Sequence, residues 1–419
     1  MLPKVKTSPQ PLEKYQSFIS KKEYQEIKKV AKDLKGVKVY HVNATPRGGG
    51  VAEILKSLVP LMKGLGLKAE WFTIPGRNDF FKVTKEIHNA LQGKDYDFPF
   101  SHRKKYLNHI ERVARLMRDM KADIWIIHDP QPAGVIQYLP NFHPSVCRLH
   151  IDLTSPNLET WRFIRGFLGM YDLIIVSSKK FIKPEIKNKT VVIPPAINPL
   201  TLKNQALDLK SAQEILTSFG IDVKKPLISQ VSRFDPWKRP LEVIEAYKIA
   251  KRKIPHLQLA LVGFFLAQDD PEALSIFKKV KKKAEGDPDI FLFADVNLLG
   301  SLKVDIFVNA IQVASDIILQ NSSREGFGLS VTEAMWKGKV VIGGKAEGLK
   351  TQIKNGETGF LVSSPKEMAR KIVQLIQNPQ LARKIGKKAH LSVKKNFLIT
   401  RLLKDYLNLI KILKDKNIK

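Results

Sequence analysis

Short runs of β-branched and apolar residues alternate with amphipathic segments along nearly the whole chain of 419 residues, and this alternation strongly constrains the fold. In the first half the runs predict strands at residues 37–42, 69–74, 123–128, 146–151, 172–177 and 190–193. The second half repeats the pattern at residues 226–231, 257–262, 289–293, 316–320, 339–342 and 359–362. Because strands that alternate with helices form parallel sheets covered on both faces, we predict an α/β protein.

The two halves meet at a proline cluster between Pro194 and Pro199, which can continue neither a strand nor a helix and predicts a hinge. We expect one Rossmann-like domain at residues 1–197 and a second at residues 198–395. The segment 396–419 is expected to form a helix that packs back on the first domain. Two doubly wound domains of this kind would face each other across a cleft, with ligands outside the carboxyl ends of the strands.

Charge and cysteine content narrow the classes of function. Lys and Arg number 71 against 40 Asp and Glu, a net charge of +31 that would attract nucleotides, nucleic acids and anionic membranes. The basic runs lack the interleaved aromatic residues that stack on bases, which favours a solvated surface. Cys147 is the only cysteine, so the chain can form no internal disulfide. The first residues lack the apolar core of a signal peptide, and we expect a cytoplasmic protein.

Charged residues follow two of the predicted strands in the second half. The sequence SREGFGLSVTE at 323–333 leads from a strand into a helix that begins near Leu329, and a helix start favours a bound anion. The carboxylates of Glu325 and Glu333 can accept hydrogen bonds from hydroxyl groups. Arg233 and Lys238 follow another predicted strand, and both cations suit a diphosphate. These residues together predict a nucleotide-sugar site.

The first half also carries polar motifs at the ends of predicted strands. A glycine run that includes Gly49 and Gly50 follows one strand and opens a helix, so its backbone can approach a phosphate closely. Asp129 and His150, together with Asp152, lie at the ends of two further strands and can orient sugar hydroxyls. Because no third or fourth ligand appears at the spacing of a metal site, we reject a metal centre here.

With these residues in hand, the chain resembles GT-B glycosyltransferases of the family 4 group. SRFDPWK at 232–238 and SREGFGLSVTEAMWKG at 323–338 are similar to the donor-site signatures of that group. In the first half, HVNATPRGGG from residue 41, HDPQPAG from residue 128 and CRLHIDLTSPN from residue 147 look like the trehalose synthase branch. Members of this branch transfer glucose between a nucleoside diphosphate and free glucose.

The resemblance implies a retaining hexosyltransferase that joins glucose from a nucleoside diphosphate glucose to glucose, giving trehalose, and that allows for reversal. Arg233 and Lys238 would bind the donor diphosphate, and Glu333 would bind the ribose. The transferred glucose would be held by Glu325 and by the segment Gly326, Phe327, Gly328 and Leu329. No carboxylate of the first half is assigned as a nucleophile, so the resemblance implies front-face attack assisted by the leaving phosphate.

The remaining expected roles lie in the first half. The resemblance places Gly49 and Gly50 against the phosphates and Asp129 on the acceptor side. His150 and Asp152 would lie near the reacting carbon or on sugar hydroxyls, with Asp152 counted as acceptor-binding. The expected catalytic residues are His150, Arg233, Lys238 and Glu325. The resemblance implies no cofactor and no metal ion beyond the nucleotide-sugar substrate.

Two departures from the family pattern and several alternatives stay open. Arg239-Pro240 stands where family members often have a glycine, and residues 343–348 differ from the usual two-glycine loop. The alternatives are transfer to a phosphosugar or a membrane lipid, a trehalose phosphorylase, and a basic nucleic-acid-binding protein without enzymatic activity. We favour small-molecule partners and no nucleic acid. An anionic membrane surface and a homodimer are left open.

Overall fold

The computed structural model describes residues 1–264 and 272–417, and it divides the chain into two compact units. The N-terminal unit comprises residues 1–196 together with the C-terminal helix, and the C-terminal unit comprises residues 197–398. Across the described ranges, none of the helices combines the length and apolar character needed to cross a membrane. The two units are described in turn.

The N-terminal unit is built on a seven-stranded sheet with the order β1-β3-β2-β4-β5-β6-β7. Its strands are β1 (Lys4–Val5), β2 (Lys38–Asn43), β3 (Lys68–Thr73), β4 (Ile124–His128), β5 (Ser145–Arg148), β6 (Leu173–Val176) and β7 (Thr190–Val192). All neighbours pair in parallel except β1, which runs antiparallel to β3. Counted from β2, the parallel strands have a doubly wound order that reverses between β2 and β4.

Helices cover this sheet. They are α1 (Lys21–Asp33), α2 (Gly50–Gly64), α3 (Asn78–Leu91), α4 (Phe100–Met117), α5 (Pro130–Ala133), α6 (Leu158–Leu168) and the C-terminal helix, which is α15 in chain order (Ile399–Asn417). The C-terminal helix packs against α1 and α2. The chain segments before and after the C-terminal unit therefore share one core. Its apolar stripe is fully buried: Leu402, Leu403, Tyr406, Leu407 and Ile410.

The C-terminal unit is a six-stranded parallel sheet with the order β10-β9-β8-β11-β12-β13. Its strands are β8 (Leu227–Val231), β9 (Gln258–Val262), β10 (Ile290–Phe293), β11 (Ile317–Gln320), β12 (Val340–Gly344) and β13 (Phe360–Val362). Counted from β8, this is the order 3-2-1-4-5-6 of a Rossmann fold. The order reverses between β8 and β11, which pair directly.

The helices of the C-terminal unit are α7 (Leu209–Thr217), α8 (Pro240–Lys251), α9 (Glu272–Ala284), α10 (Val304–Ala314), α11 (Leu329–Trp336), α12 (Glu347–Lys350), α13 (Pro365–Gln377) and α14 (Pro379–Asn396). Several helices in both units begin where a short polar side chain caps a backbone N–H group of the first turn, as that residue type favours. The capping residues are Ser20, Asn157, Asp208, Ser364 and Asn378.

Each strand expected from the sequence is present within a few residues, and the α/β fold is confirmed. One feature differs from the expected all-parallel arrangement, because the two-residue strand β1 pairs antiparallel with β3 through Lys4 and Val5. A strand this short leaves no periodic signal in a sequence. The unit boundaries at 196/197 and 398/399 compare with 197/198 and 395/396 expected from the sequence.

Candidate active site

In the C-terminal unit, the charged residues expected from the sequence lie in the two loops that flank the reversal of strand order. Arg233 and Lys238 follow β8, and Glu325 follows β11. Ligands of doubly wound sheets bind outside the carboxyl ends of the strands at this point. The fold therefore brings two distant segments of the sequence to one ligand-binding position.

Asp235 shapes the loop after β8. Its buried carboxylate accepts a hydrogen bond from the N–H group of Trp237 at 2.8 Å and caps a short 3-10 helix, Pro236–Lys238. Its second oxygen lies 3.2 Å from the guanidinium of Arg233. This one carboxylate thus orients the segment that carries both expected diphosphate ligands.

Gln230, at the end of β8, joins the two loops. Its side-chain oxygen accepts from the N–H group of Asn321 at 3.1 Å, and its amide nitrogen donates to the carbonyl of Lys238 at 3.2 Å. A backbone hydrogen bond from Ser323 to the carbonyl of Trp237, at 2.8 Å, adds a second link. Sequence reasoning did not single out Gln230, because its role depends on which strand becomes the neighbour of β8.

Lys238 and Glu325 form an ion pair between these loops. Only 14% of the Lys238 side chain and 12% of the Glu325 side chain are exposed. Ser322 donates a second hydrogen bond to the same Glu325 oxygen at 2.9 Å. Burying two charged side chains is tolerated when they are paired and hydrogen-bonded, as these two are.

The loop from Gly326 to Gly328 presents backbone rather than side chains. The Phe327 ring is buried against Phe397 at a centroid distance of 5.5 Å. Gly328 has φ +89°, a left-handed conformation that favours glycine, and α11 begins at the next residue, Leu329. Gln352, which the sequence analysis missed, donates to the carbonyl oxygens of Phe327 and Gly328 and so fixes the start of α11.

The segment 343–348, which differs from the family pattern, supports the same loop. The N–H group of Gly348 donates to the carbonyl of Glu325 at 3.1 Å. A Cβ atom at Gly348 would lie 2.5 Å from that carbonyl oxygen, and one at Gly344 would lie 2.4 Å from the carbonyl oxygen of Ser322. Both positions therefore require glycine, although the segment departs from the family pattern.

Glu333 projects from α11 and is 7% exposed. Its carboxylate lies 3.8 Å from the ammonium of Lys203, a residue that sequence reasoning missed. On the other side, the buried ammonium of Lys337 donates to Gln312 at 2.8 Å and to the Glu333 carbonyl at 3.3 Å. Burial lowers the pKa of Lys337 to about 8, and the nearby Glu333 carboxylate opposes this shift. Glu333 therefore lies near two cations, Lys203 and Lys337.

The N-terminal unit places its polar residues at its own reversal point, between β2 and β4. Gly49 has φ +84° and precedes α2, which begins at Gly50. Beyond the adjoining residues, no heavy atom of the described residues would lie within 4 Å of a Cβ atom at Gly49, so the backbone conformation, and not crowding, favours glycine there. Asn43, at the end of β2, supports the loop by donating to the carbonyl of Thr45 at 2.7 Å.

Three imidazoles form a hydrogen-bonded row across this edge of the sheet. His41 Nδ1 lies 3.1 Å from His128 Nε2, and His128 Nδ1 lies 3.0 Å from His150 Nε2. Burial, followed by the charge of Arg148, lowers the pKa of His41 to about 3. Burial also holds the pKa values of His128 and His150 well below their usual value. All three rings are therefore neutral at pH 7.

Asp129 and Asp152 are both buried but differ in their surroundings. Asp129 has φ +68° and accepts the N–H group of His150 at 2.7 Å. Burial raises the pKa of Asp129 to about 7, opposed by that hydrogen bond and by Arg148. Asp152 accepts the N–H group of Thr154 at 2.9 Å, which closes a local turn. Asp129 thus adjoins the histidine row, whereas Asp152 has a local structural partner.

Among the expected residues, the structure brings Lys238 and Glu325 into direct contact and links Asp129 to His150. Within residues 1–264 and 272–417, no set of three or more His, Cys, Asp or Glu side chains is arranged to hold a metal ion. His41 was missed, and the signal for it was a single histidine between Tyr40 and Val42 in β2.

The two parallel-sheet units and their loops define a glycosyltransferase of the GT-B fold. The family described as glycosyl transferases group 1 matches residues 211–391. The fold is shared with an α,α-trehalose-phosphate synthase (UDP-forming) of Burkholderia xenovorans, solved in complex with glucose-6-phosphate. That similarity has a TM-score of 0.73 at 13% identity and covers 90% of this chain and 100% of the other.

The chain belongs to the trehalose synthase family. The family described as the trehalose synthase N-terminal domain matches residues 41–183. The chain is 46% identical to a trehalose synthase of Pyrococcus horikoshii over 95% of both chains. It is 40% identical to a trehalose synthase of Rubrobacter xylanophilus over 98% of both chains. The protein is therefore a trehalose-related hexosyltransferase.

Proposed function

We propose that the protein transfers glucose between a nucleoside diphosphate and free glucose, forming trehalose with retention of configuration, and that it catalyses both directions. The observation that carries this proposal is the meeting of the Lys238 and Glu325 loops at the strand-order reversal of the C-terminal unit. A Rossmann-type sheet binds a nucleotide at this position. The paired cation and carboxylate add groups for a diphosphate and for sugar hydroxyls.

Each group has a role in this proposal. Arg233 and Lys238 bind the diphosphate, and the backbone at the start of α11 offers N–H groups to negatively charged oxygens. These groups stabilise the charge that develops as the diphosphate leaves. Glu325, with the Gly326–Gly328 backbone, binds hydroxyl groups of the transferred glucose, and Glu333 binds the ribose.

The N-terminal unit supplies buried polar groups. His150 and Asp152 contact the sugars near the reacting carbon, Asp129 contacts the acceptor, and the backbone of Gly49 and Gly50 approaches the phosphates. These assignments rest on the resemblance and on the burial of polar side chains in this region. A neutral imidazole is a better hydrogen-bonding partner for a sugar hydroxyl than a positively charged side chain would be.

The chemical step is a front-face substitution. The bond between the anomeric carbon and the diphosphate oxygen breaks, and an acceptor hydroxyl oxygen bonds to that carbon from the same side. The hydroxyl proton passes to the departing phosphate oxygen. This step needs neither a protein nucleophile nor a metal ion, and we propose that the reaction uses no cofactor.

One incubation tests the proposal against its rivals. The protein is mixed with trehalose and each of several nucleoside diphosphates, and with inorganic phosphate in a parallel sample. Nucleotide-linked glucose is the expected product, and glucose phosphate formed only with inorganic phosphate would instead identify a phosphorylase. In the forward direction, proton NMR of the disaccharide reads the anomeric configuration, and an inverted linkage would contradict retention.

A further inference from the structure

The row of histidines in the N-terminal unit has one buried end and one more exposed end. His41 lies on β2 and His128 ends β4, and both are at most 1% exposed. His150 follows β5 and is only partly buried. Successive rings are nearly coplanar, at 25° and 22°, with centroids 5.4 and 5.3 Å apart. The tautomer of each ring therefore depends on the tautomer of the next.

The buried end of the row is closed. His41 Nε2 is buried and has no hydrogen-bond partner among the described residues. Arg148 Nε, a permanent donor, is also buried and has no hydrogen-bond partner among the described residues. Both side chains pack on Tyr406, the His41 ring at 6.0 Å and the Arg148 guanidinium carbon at 5.4 Å from the ring centroid.

A row of neutral imidazoles can satisfy both internal hydrogen bonds in only two ways. Either every ring carries its hydrogen on Nδ1 and donates toward His150, or every ring carries it on Nε2 and donates toward His41. The second arrangement buries an unpaired N–H group at His41 Nε2, near the cationic guanidinium of Arg148. The first arrangement leaves an unpaired lone pair at His41 Nε2. This costs less, because the donor and the positive charge of Arg148 lie nearby.

We propose that the closed end of the row at His41 holds His150 in the tautomer that carries hydrogen on Nδ1, so that His150 donates a hydrogen bond to the sugar. The inference rests on the proposed function for the placement of His150 beside the sugar. His41 and His128 are then positioning residues, since they act through His150. The row cannot conduct protons onward, because its buried end has no hydrogen-bond partner among the described residues.

The tautomers can be read directly in the ligand-free protein. The chain has 9 histidines, so selective ¹⁵N labelling of histidine gives a tractable long-range ¹H–¹⁵N spectrum. The expected result is protonated Nδ1 and bare Nε2 for His41, His128 and His150. A protonated Nε2 at His150, or a mixture of its two tautomers, would overturn the inference whether or not the protein makes trehalose.

Two variants of equal size sharpen the test. In His41→Asn the amide can still donate to His128, and the His150 tautomer should stay unchanged. In His41→Asp the carboxylate can only accept, which should reverse the row and move the His150 hydrogen to Nε2. Spectra recorded at about pH 9 keep the imidazoles neutral.

Kinetics complete the test. The turnover of His41→Asp should fall about tenfold relative to His41→Asn, the effect of one lost neutral hydrogen bond, with unchanged KM for the nucleotide. An unchanged His150 tautomer in His41→Asp would show that His41 does not set it. Equal turnover of the two variants, despite a reversed row, would show that His150 does not donate to the sugar. Because the spectra need no substrate, these failures can be told apart from a failure of the proposed reaction.

Discussion

The two units hold their polar site residues in opposite electrostatic states. In the C-terminal unit the charges are kept and paired, as in Lys238 with Glu325 and Lys203 with Glu333. In the N-terminal unit burial suppresses charge, lowering the pKa of His41 to about 3 and raising that of Asp129 to about 7. This difference fits the proposed function, in which paired charges of the C-terminal unit bind the diphosphate and the transferred glucose, and the neutral His150 of the N-terminal unit binds the sugar.

Removing the carboxylate of the central ion pair tests the charged site most severely. Glu325→Ala should lower turnover by roughly 10²–10³-fold, because it deletes the sugar ligand of the proposed function and frees Lys238 to move. Glu325→Gln can still accept a hydrogen bond from Ser322, so this variant removes the charge but keeps the shape of the side chain. Steady-state rates and thermal unfolding are measured together. Near-normal turnover of a folded Glu325→Ala protein would remove Glu325 from the site.

The cation of the same pair should matter for binding. Lys238→Ala should weaken nucleoside diphosphate binding by about 10- to 100-fold, the range expected for a charge-assisted hydrogen bond. Isothermal titration calorimetry measures this loss directly. The control is Lys354→Ala, since Lys354 is a mostly exposed lysine of the same unit. Equal affinities for the two variants would mean that general positive charge, and not Lys238, attracts the nucleotide.

The contrast between the units also explains what the sequence could reveal. The C-terminal site was predictable because Arg233 and Lys238 lie within one short motif, and Glu325 and Glu333 within another. Gln230 and Gln352 were not, since each acts on a loop that only folding brings near. In the N-terminal unit His41 and His128 are 87 residues apart, and their contact depends on β2 and β4 becoming neighbours. The strands themselves were predictable because their apolar runs are local.

The neutral site should reveal itself in the pH dependence of stability. The pKa of the Asp129 carboxyl is about 7 in the folded protein, above its ordinary value of 3.8. Between these values the folded state binds one proton more, so this carboxyl makes the free energy of unfolding fall as pH rises, by about 1.4 kcal/mol per pH unit. Asp129→Asn removes this contribution and tolerates positive φ. Urea unfolding of both proteins at several pH values measures the difference between their slopes.

Asp172 provides a control of opposite sign. Burial raises the pKa of Asp172, but hydrogen bonds from His143 and Ser145 outweigh this effect and hold that pKa below its usual value. Its contribution to stability is present above the unfolded pKa and is lost as pH falls, so Asp172→Asn should change the slope in the other direction. Parallel curves for Asp129→Asn and the unmodified protein would contradict the raised pKa of Asp129.

The smallest expected effect concerns a backbone feature that the two units share. Asp129 and Arg239 both have positive φ, of 68° and 47°, and each precedes a proline that begins a helix. At Arg239 a glycine relieves a strain of about 1 kcal/mol, but it costs a similar amount in backbone entropy and loses a partly exposed ion pair with Glu242. Arg239→Gly should therefore change the urea midpoint little and retain turnover. Asp129→Gly should destabilise the protein, because the part-buried N–H group of His150 loses its acceptor. If the two glycine variants were equally stable, the positive φ of Asp129 would serve only the turn. It would then not be linked to the histidine row.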